Sequence, residues 1–284
     1  MTMILLALAL LAATPTTLSG VLAAAKPGDV IKLVPGNYPL ITIKARSWAP
    51  AITIDASGSN VVGVAIVGST GVSWVGGDMA GTVVAAGVAG GYGFTANASS
   101  ANISVFGVHF SDFRTGVGYN LVNGGKIAGN WFTRMSADGI DVALARNIVI
   151  DRNACTEFKP GPAAHPDCIQ LWSRPNVAPV ADITITNNSA VGEMQGISLF
   201  NHVRDGVDDG GFDRVTIRGN TVLNTFGNGL AVYDCRGCTV RDNDVNSLPN
   251  YWHRAQLIVK GGSVMQCGNR VPMTGQGTPA CTSS

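Results

Sequence analysis

The sequence predicts an all-β, single-domain parallel solenoid, a β-helix, closed at its amino-terminal end by a short helix. Three observations carry this. First, an aliphatic–x–x–Asn unit recurs at Ile127–Asn130, Ile150–Asn153, Ile185–Asn188, Ile217–Asn220 and Val240–Asn243. Its asparagines stand 23, 35, 32 and 23 residues apart, and a period of this length marks stacked repeats. Second, alternating Ile, Leu or Val fills DGIDVA (138–143), DCIQLW (167–172), QGISLF (195–200) and NGLAVY (228–233), with RAQLIVK (254–260) as a looser copy. That alternation belongs to half-buried strands. Third, only 13% of the 284 residues are charged, about half the ~25% of ordinary soluble domains. Short strands that cannot bury a face alone do so by stacking copies. A fixed period argues against a two-sheet sandwich, and the lack of long helical patterns argues against doubly wound α/β folds.

The elements follow in order. Ile4 to Ala13 is an unbroken apolar run of ten residues, too short to span a bilayer. Residues 1–13 read as an export signal, with Ala12 and Ala13 before Thr14 as the cleavage region, although MTM carries no positive charge. The alternative is a buried strand of the cap. Residues 14–30 form the cap, where Thr17 to Asp29 reads as an amphipathic helix stopped by Pro27-Gly28. It covers an otherwise open sheet edge. Residues 31–262 form the β-helix, with two strands per period, and its early coils are ITIDASG, VAIVGS, VSWVGGD and ISVFGVHF. Asparagine tolerates the left-handed backbone that the corners need, and its stacked amides bond up a column. Residues 263–284 are a tail.

The six cysteines, Cys155, Cys168, Cys235, Cys238, Cys267 and Cys281, allow 15 pairings. Their grouping suggests three local pairs, 155–168, 235–238 and 267–281. Cys-Arg-Gly-Cys has no second ligand pair at zinc-finger spacing. An oxidising compartment, secreted or periplasmic, fits both the cysteines and the leader. A net charge of +1 argues against a nucleic-acid partner. No segment reaches transmembrane length, so no membrane partner is expected, and the protein is expected to be monomeric. Charge is also uneven: between residues 56 and 111 only Asp78 is charged. The first half therefore reads as scaffold, and the site belongs around 138–260.

LSGVLAAAKPGDVIKLVPGNYPLITI (18–43) is similar to the amino-terminal cap and first coil of the chondroitinase-B and alginate-lyase branch of the pectate-lyase-like superfamily. That resemblance covers nearly the whole chain and implies right-handed parallel coils. HPDCIQLW (165–172) resembles the His-x-Asp-x-Ile-Gln segments of alginate-active and other β-helix proteins, which implies an outer-cleft position for His165, Asp167 and Gln170. The chain departs from the calcium-dependent lyases in lacking an evident cluster of outward acidic residues. It also lacks the Asn-Thr-Asp and Gly-His-Gly signatures of polygalacturonase-like hydrolases. No cofactor is required by this reading. Calcium is left open, because the acidic loop at Asp205, Asp208 and Asp209 offers oxygen ligands without a full EF-hand pattern; a solvated turn is the other reading.

With Ile140, Ile169, Ile197, Leu230 and Leu257 in register facing inward, one outward column holds Asp141, Gln170, Ser198, Ala231 and Ile258. The next holds Ala143, Trp172, Phe200, Tyr233 and Lys260. An exposed aromatic stack beside Asp and Gln suits a sugar chain, unless an inserted loop covers it. The two long gaps carry 157–172 and 201–213, and inserted loops commonly build sites. His165 either ties its loop or acts in catalysis.

The leading expectation is a polysaccharide lyase that splits a uronate-containing, alginate-like acidic polysaccharide by β-elimination. Arg204, Lys260 or Arg254 would hold the sugar carboxylate with Gln170 assisting. His202 or His165 would be the base, and Tyr233 or Lys260 the acid. Asp141, Asp167, Trp172 and Phe200 complete the binding set, with no metal ligand assigned. A uronate epimerase uses the same proton abstraction. A glycoside hydrolase needs two carboxyls about 5–10 Å apart, for which Asp141 with Asp167 is the pair proposed. A noncatalytic carbohydrate-binding solenoid would show the aromatic column without a cleft.

Overall fold

The computed structural model describes residues 10–83, 88–162, 164–174, 178–249 and 253–282, without the side chain of Arg204. The chain winds as a parallel β-helix whose coils carry three strands each. The first ladder stacks Ile31, Ile54, Trp74, Val105, Ile127, Ile150, Ile185, Ile217 and Val240 in direct register. All nine are buried, so the aliphatic residue of each Asn unit is a core position. The second ladder sets Ile140, Ile169, Ile197, Leu230 and Leu257 in one inward row, as the alternation predicts. A third, nine-stranded ladder runs from Asn37–Tyr38 to Asp244–Ser247. The sequence reading of two strands per period misses it, because its strands are two to four residues long, too short to display an alternation.

At the corner between the first and third ladders the asparagines stack as a continuous column. Each Nδ2 of Asn130, Asn153, Asn188, Asn220 and Asn243 donates to the Oδ1 of the next, ending at Asn269, at 2.9–3.0 Å. The same Nδ2 atoms also donate to a carbonyl of the preceding coil, as Asn188 does to Ile150 at 3.1 Å. Each Oδ1 accepts a second bond from the backbone N–H of the previous asparagine. The column is closed by the N–H of Val108 at one end and the Thr278 hydroxyl at the other. The left-handed residue is not the ladder asparagine itself. It is the residue before it: Gly129, Arg152, Asn187, Gly219, Asp242 and Gly268 all have φ between 52° and 66°.

A second column, at the entrance to the second ladder, is made of small residues. A Cβ on Gly116 would lie 2.3 Å from the Phe132 ring, and one on Gly139 2.9 Å from Cys155 Sγ. Neither has a positive φ, so each is glycine for room rather than for conformation. In the next coil Cys168 takes the glycine's place and Cys155 takes the aromatic's, and the two are joined in a disulfide. Cys235–Cys238 and Cys267–Cys281 are likewise paired, giving the three local pairs that the grouping suggests.

The amino-terminal end is covered. The helix Leu18–Ala24 buries Leu18 and Leu22 over the first coil. Leu10–Ala13 lies parallel to Val30–Leu33, with Ala13 fully buried. These four residues therefore form the cap strand of the alternative reading, and cleavage after Ala13 would remove it; residues 1–9 lie outside the described residues. At the other end the strand Gln256–Cys267 and ladder residue Asn269 carry the coils beyond residue 262. One hydrophobic core runs from Ala13 to Val271. Among the described residues no helix is long and apolar enough to cross a membrane.

Candidate functional site

The outer face of the second ladder carries the site. In register lie Asp141, Gln170 and Ser198, and beside them Ala143, Trp172 and Phe200. Tyr233 and Lys260 continue the second row one and two coils later. The two insertions rise on either side. The loop 157–166 is tied to the preceding coil by Lys159 N–H to Met135 O and Gly161 N–H to Ser136 O. The other insertion folds into a hairpin of Val203–Arg204 against Val207–Asp208. Asn201, nearly buried, fixes that hairpin: its Nδ2 donates to Asp208 and Asp234, and its Oδ1 accepts from Ser173 and Gly211. Between the insertions lies a groove of about 770 Å³, and a second cavity of about 520 Å³ adjoins it over the coils of Tyr92, Gly118, Asp141 and Trp172. Arg114 and Trp172 line both.

Among the binding and catalytic residues expected from sequence, His165, Gln170, Trp172, Phe200 and His202 line the groove, and Asp141 lines the adjoining cavity. The aromatic row is half-buried. Trp172 meets Phe200 edge-on at 6.4 Å between centroids, Phe200 meets Tyr233 at 5.4 Å, and the His202 ring stacks on Trp172 at 5.9 Å. The hairpin thus covers one flank of the row with His202. Tyr233 and Lys260 pair with each other, Lys260 Nζ lying 5.7 Å from the ring centroid. Neither lines the groove, and exposed Arg254 does not either. Arg204 sits in the hairpin strand, with its side chain outside the described residues. Asp167 is buried beneath the floor rather than open to the groove, at 1% exposure.

The structure also brings together an acidic cluster that the sequence reading did not recognise. Asp138, one turn before its strand, accepts the N–H of Asp167 at 2.9 Å. Asp167 in turn accepts the Ser198 hydroxyl at 2.6 Å. Burial raises the Asp138 carboxyl to about 6, against the pull of the Asp167 N–H and the nearby Arg114. Burial and the adjacent Asp138 hold Asp141 well above the usual carboxylate range, and burial does the same for Asp167. Among the described residues, Oδ1 of Asp141 and Oδ2 of Asp167 are shielded from solvent without a hydrogen-bond partner. A carboxyl in that position is stabilised by keeping its proton. Asp138 lines the groove and Asp141 the adjoining cavity, so the pair stands where the two cavities meet. Asp138 escaped the sequence reading because it precedes the alternating stretch; the clue was the unit Asp-Gly-Ile-Asp, whose two acids are a corner apart. Among the described residues no group of three His, Cys, Asp or Glu side chains has the arrangement of a metal site.

A family model described as the right handed beta helix region matches residues 92–264. The chain belongs to the right-handed β-helix family. No curated protein matches its sequence. Among solved structures, this β-helix protein is similar to a family 28 exopolygalacturonase of Yersinia enterocolitica, at 10% identity and a TM-score of 0.58, over 92% of this chain and 68% of that one. It is also similar to the tailspike protein of E. coli bacteriophage HK620, solved with a hexasaccharide, at 11% identity and a TM-score of 0.50, over 86% of this chain and 53% of that one. The chain therefore spans little more than half of the tailspike. At such identities the likeness is one of fold.

Proposed function

We propose that this β-helix protein is an exported enzyme that hydrolyses a glycosidic bond in a polysaccharide lying along the groove. The observation that carries the reading is the Asp138–Asp141 pair at the meeting point of the two cavities, held partly protonated by burial and, at Asp141, also by the neighbouring Asp138 charge. Hydrolysis needs one carboxyl that gives its proton to the leaving glycosidic oxygen and one that takes a proton from water. Two carboxyls that resist losing both protons supply an acid and its conjugate base together. Asp141, which is pushed up further, keeps the proton and acts as the acid. Asp138, which lines the groove, acts as the base, with Gln170 and His165 to orient the sugar and the faces of Trp172 and Phe200 to carry its apolar side. The three disulfides support an oxidising compartment.

A second reading, β-elimination on a uronate, is favoured by one observation: His165, His202 and Arg114 also line the groove. These side chains supply a base and a cation for the sugar carboxylate. One experiment separates the two. Incubation with polygalacturonate, alginate, glucuronan and bacterial capsular glycans is followed both for reducing ends and for absorbance near ~235 nm, which an unsaturated product raises. Hydrolysis yields reducing ends with no rise in absorbance; elimination yields both. Asp138→Asn lowers the rate about 100-fold or more. Wild-type turnover in that variant would remove the carboxyl pair from the chemistry.

A further inference from the structure

The cavity beyond Arg114 reaches coils that the charge distribution marks as scaffold. Its floor is built around Tyr92, which is 45% exposed. A Cβ on Gly118 would lie 3.1 Å from both Cδ1 and Cε1 of that ring, and Gly118 does not have a positive φ. Gly118 is therefore the seat that lets the Tyr92 ring lie down against the sheet with one side open to solvent. Asn97, Asn120 and Thr95 surround the ring with polar groups, and exposed Arg114 and Arg174 stand at the cavity's inner edge. Among the described residues no salt bridge holds either guanidinium. A ring lying flat, amides and hydroxyls along the cavity, and two cations outside any salt bridge, Arg114 facing Asp138 and Asp141 only at longer range, together match an anionic sugar: an apolar face, hydroxyl edges and a carboxylate or sulfate.

We propose that this cavity is a second glycan-binding arm for an acidic polysaccharide, so that the protein grips an internal stretch of polymer on both sides of Asp138 and Asp141. The inference rests on reading the groove as a glycan site and deepens it: the cleft is open past the carboxyl pair in both directions, and the action is endo. From the coil of Tyr92 to that of Tyr233 there are five steps of ~4.8 Å, or ~24 Å of continuous surface, which accommodates several sugar units.

The test is affinity electrophoresis of the full chain in gels cast with polygalacturonate or alginate, and with dextran as a neutral control. Retardation is expected in at least one acidic gel and not in dextran. Tyr92→Ala and Arg174→Ala each weaken it roughly fivefold to tenfold, with an unchanged unfolding temperature. Gly118→Ala, which pushes the ring off its seat, weakens it too. Retardation of the Tyr92 and Arg174 variants equal to the wild type's overturns the arm, and so does a wild-type chain that neither acidic gel retards. The arm and the chemistry fail separately. If Asp138→Asn stops turnover while the arm variants bind as wild type, only the arm is wrong. If Asp138→Asn turns over normally while the arm variants lose binding, the arm stands and the carboxyl chemistry falls.

Discussion

Asn188 sits in the middle of the amide column with no lone donor or acceptor left over: its Nδ2 serves Ile150 and Asn220, and its Oδ1 accepts both from Asn153. Removing it leaves the backbone N–H and one Nδ2 hydrogen of Asn153 without their acceptor and takes one donor each from the Ile150 carbonyl and the Asn220 oxygen; a buried group left unsatisfied costs about 1–3 kcal/mol. Asn188→Ala is therefore expected to destabilise the chain by roughly 3 kcal/mol or more, read as a lower midpoint in urea unfolding; Thr221→Ala, exposed just after the next ladder asparagine, serves as the control. The column itself was legible because asparagine recurred three residues after an aliphatic. Its last member was not, since Asn269 follows Gln266 rather than Ile or Val. The carboxyl cluster was legible in part. Asp141 and Asp167 declare themselves by position in a strand. Asp138 and Arg114 enter from corners, where no periodicity points to a face. Tyr92 was hidden for a different reason: its role comes from the absence of a side chain at Gly118.

Among the elements, the disulfide Cys155–Cys168 shows how one coil departs from its neighbours without leaving a void. The coil before it fills the same corner with a glycine against the Phe132 ring, and this coil fills it with two linked sulfurs. The bond closes a separation of 13 residues at the base of the loop that carries His165. A loop of this length gives about 3 kcal/mol in chain-entropy terms. Cys155→Ser with Cys168→Ser is expected to lower stability by about that amount, measured by calorimetry under non-reducing conditions. The same variant should expose the 157–166 loop to limited proteolysis before the coils unfold. Pairing by nearness in sequence was enough to anticipate all three disulfides, because each spans a single corner or insertion. The short strands of the third ladder were not anticipated, and neither was the hairpin, since two-residue strands leave no pattern to read.

For the molecule as a whole, the acidic cluster sets a pH dependence opposite to that of the surface. Asp138 has a folded-state value of about 6, against about 4 for an unfolded carboxyl. Its contribution is fully present below pH ~4 and is lost as pH rises through about 6, a change of roughly 3 kcal/mol. Exposed or partly exposed carboxylates paired with arginine, Asp112 with Arg134 and Asp182 with Arg214, are lowered and act in the other direction, below pH ~4. Stability between pH 4 and 7 should therefore fall with rising pH, and Asp138→Asn should flatten the slope. Unfolding temperatures across that range test it; a wild-type curve as flat as the variant's would show that the carboxyl is not held protonated. The solenoid was legible at this scale because repetition is a property of the whole chain. The extent of the groove was not, since a cavity is what folding leaves between elements.

The asparagine column has one further property. Every side-chain amide in it accepts from the earlier side and gives one of its two N–H bonds to the later side, so the Oδ1-to-Nδ2 links of six amides run the same way along the axis of the molecule. It behaves as a polarised wire, in which each bond strengthens the next, and like the dipole of an α-helix it has charged ends that need a partner. The negative end is met by the Val108 N–H and the positive end by the Thr278 hydroxyl. The segment after the last coil thus supplies the last acceptor of a hydrogen-bond chain that begins some 170 residues earlier, and the Cys267–Cys281 bond ties that segment to the last strand.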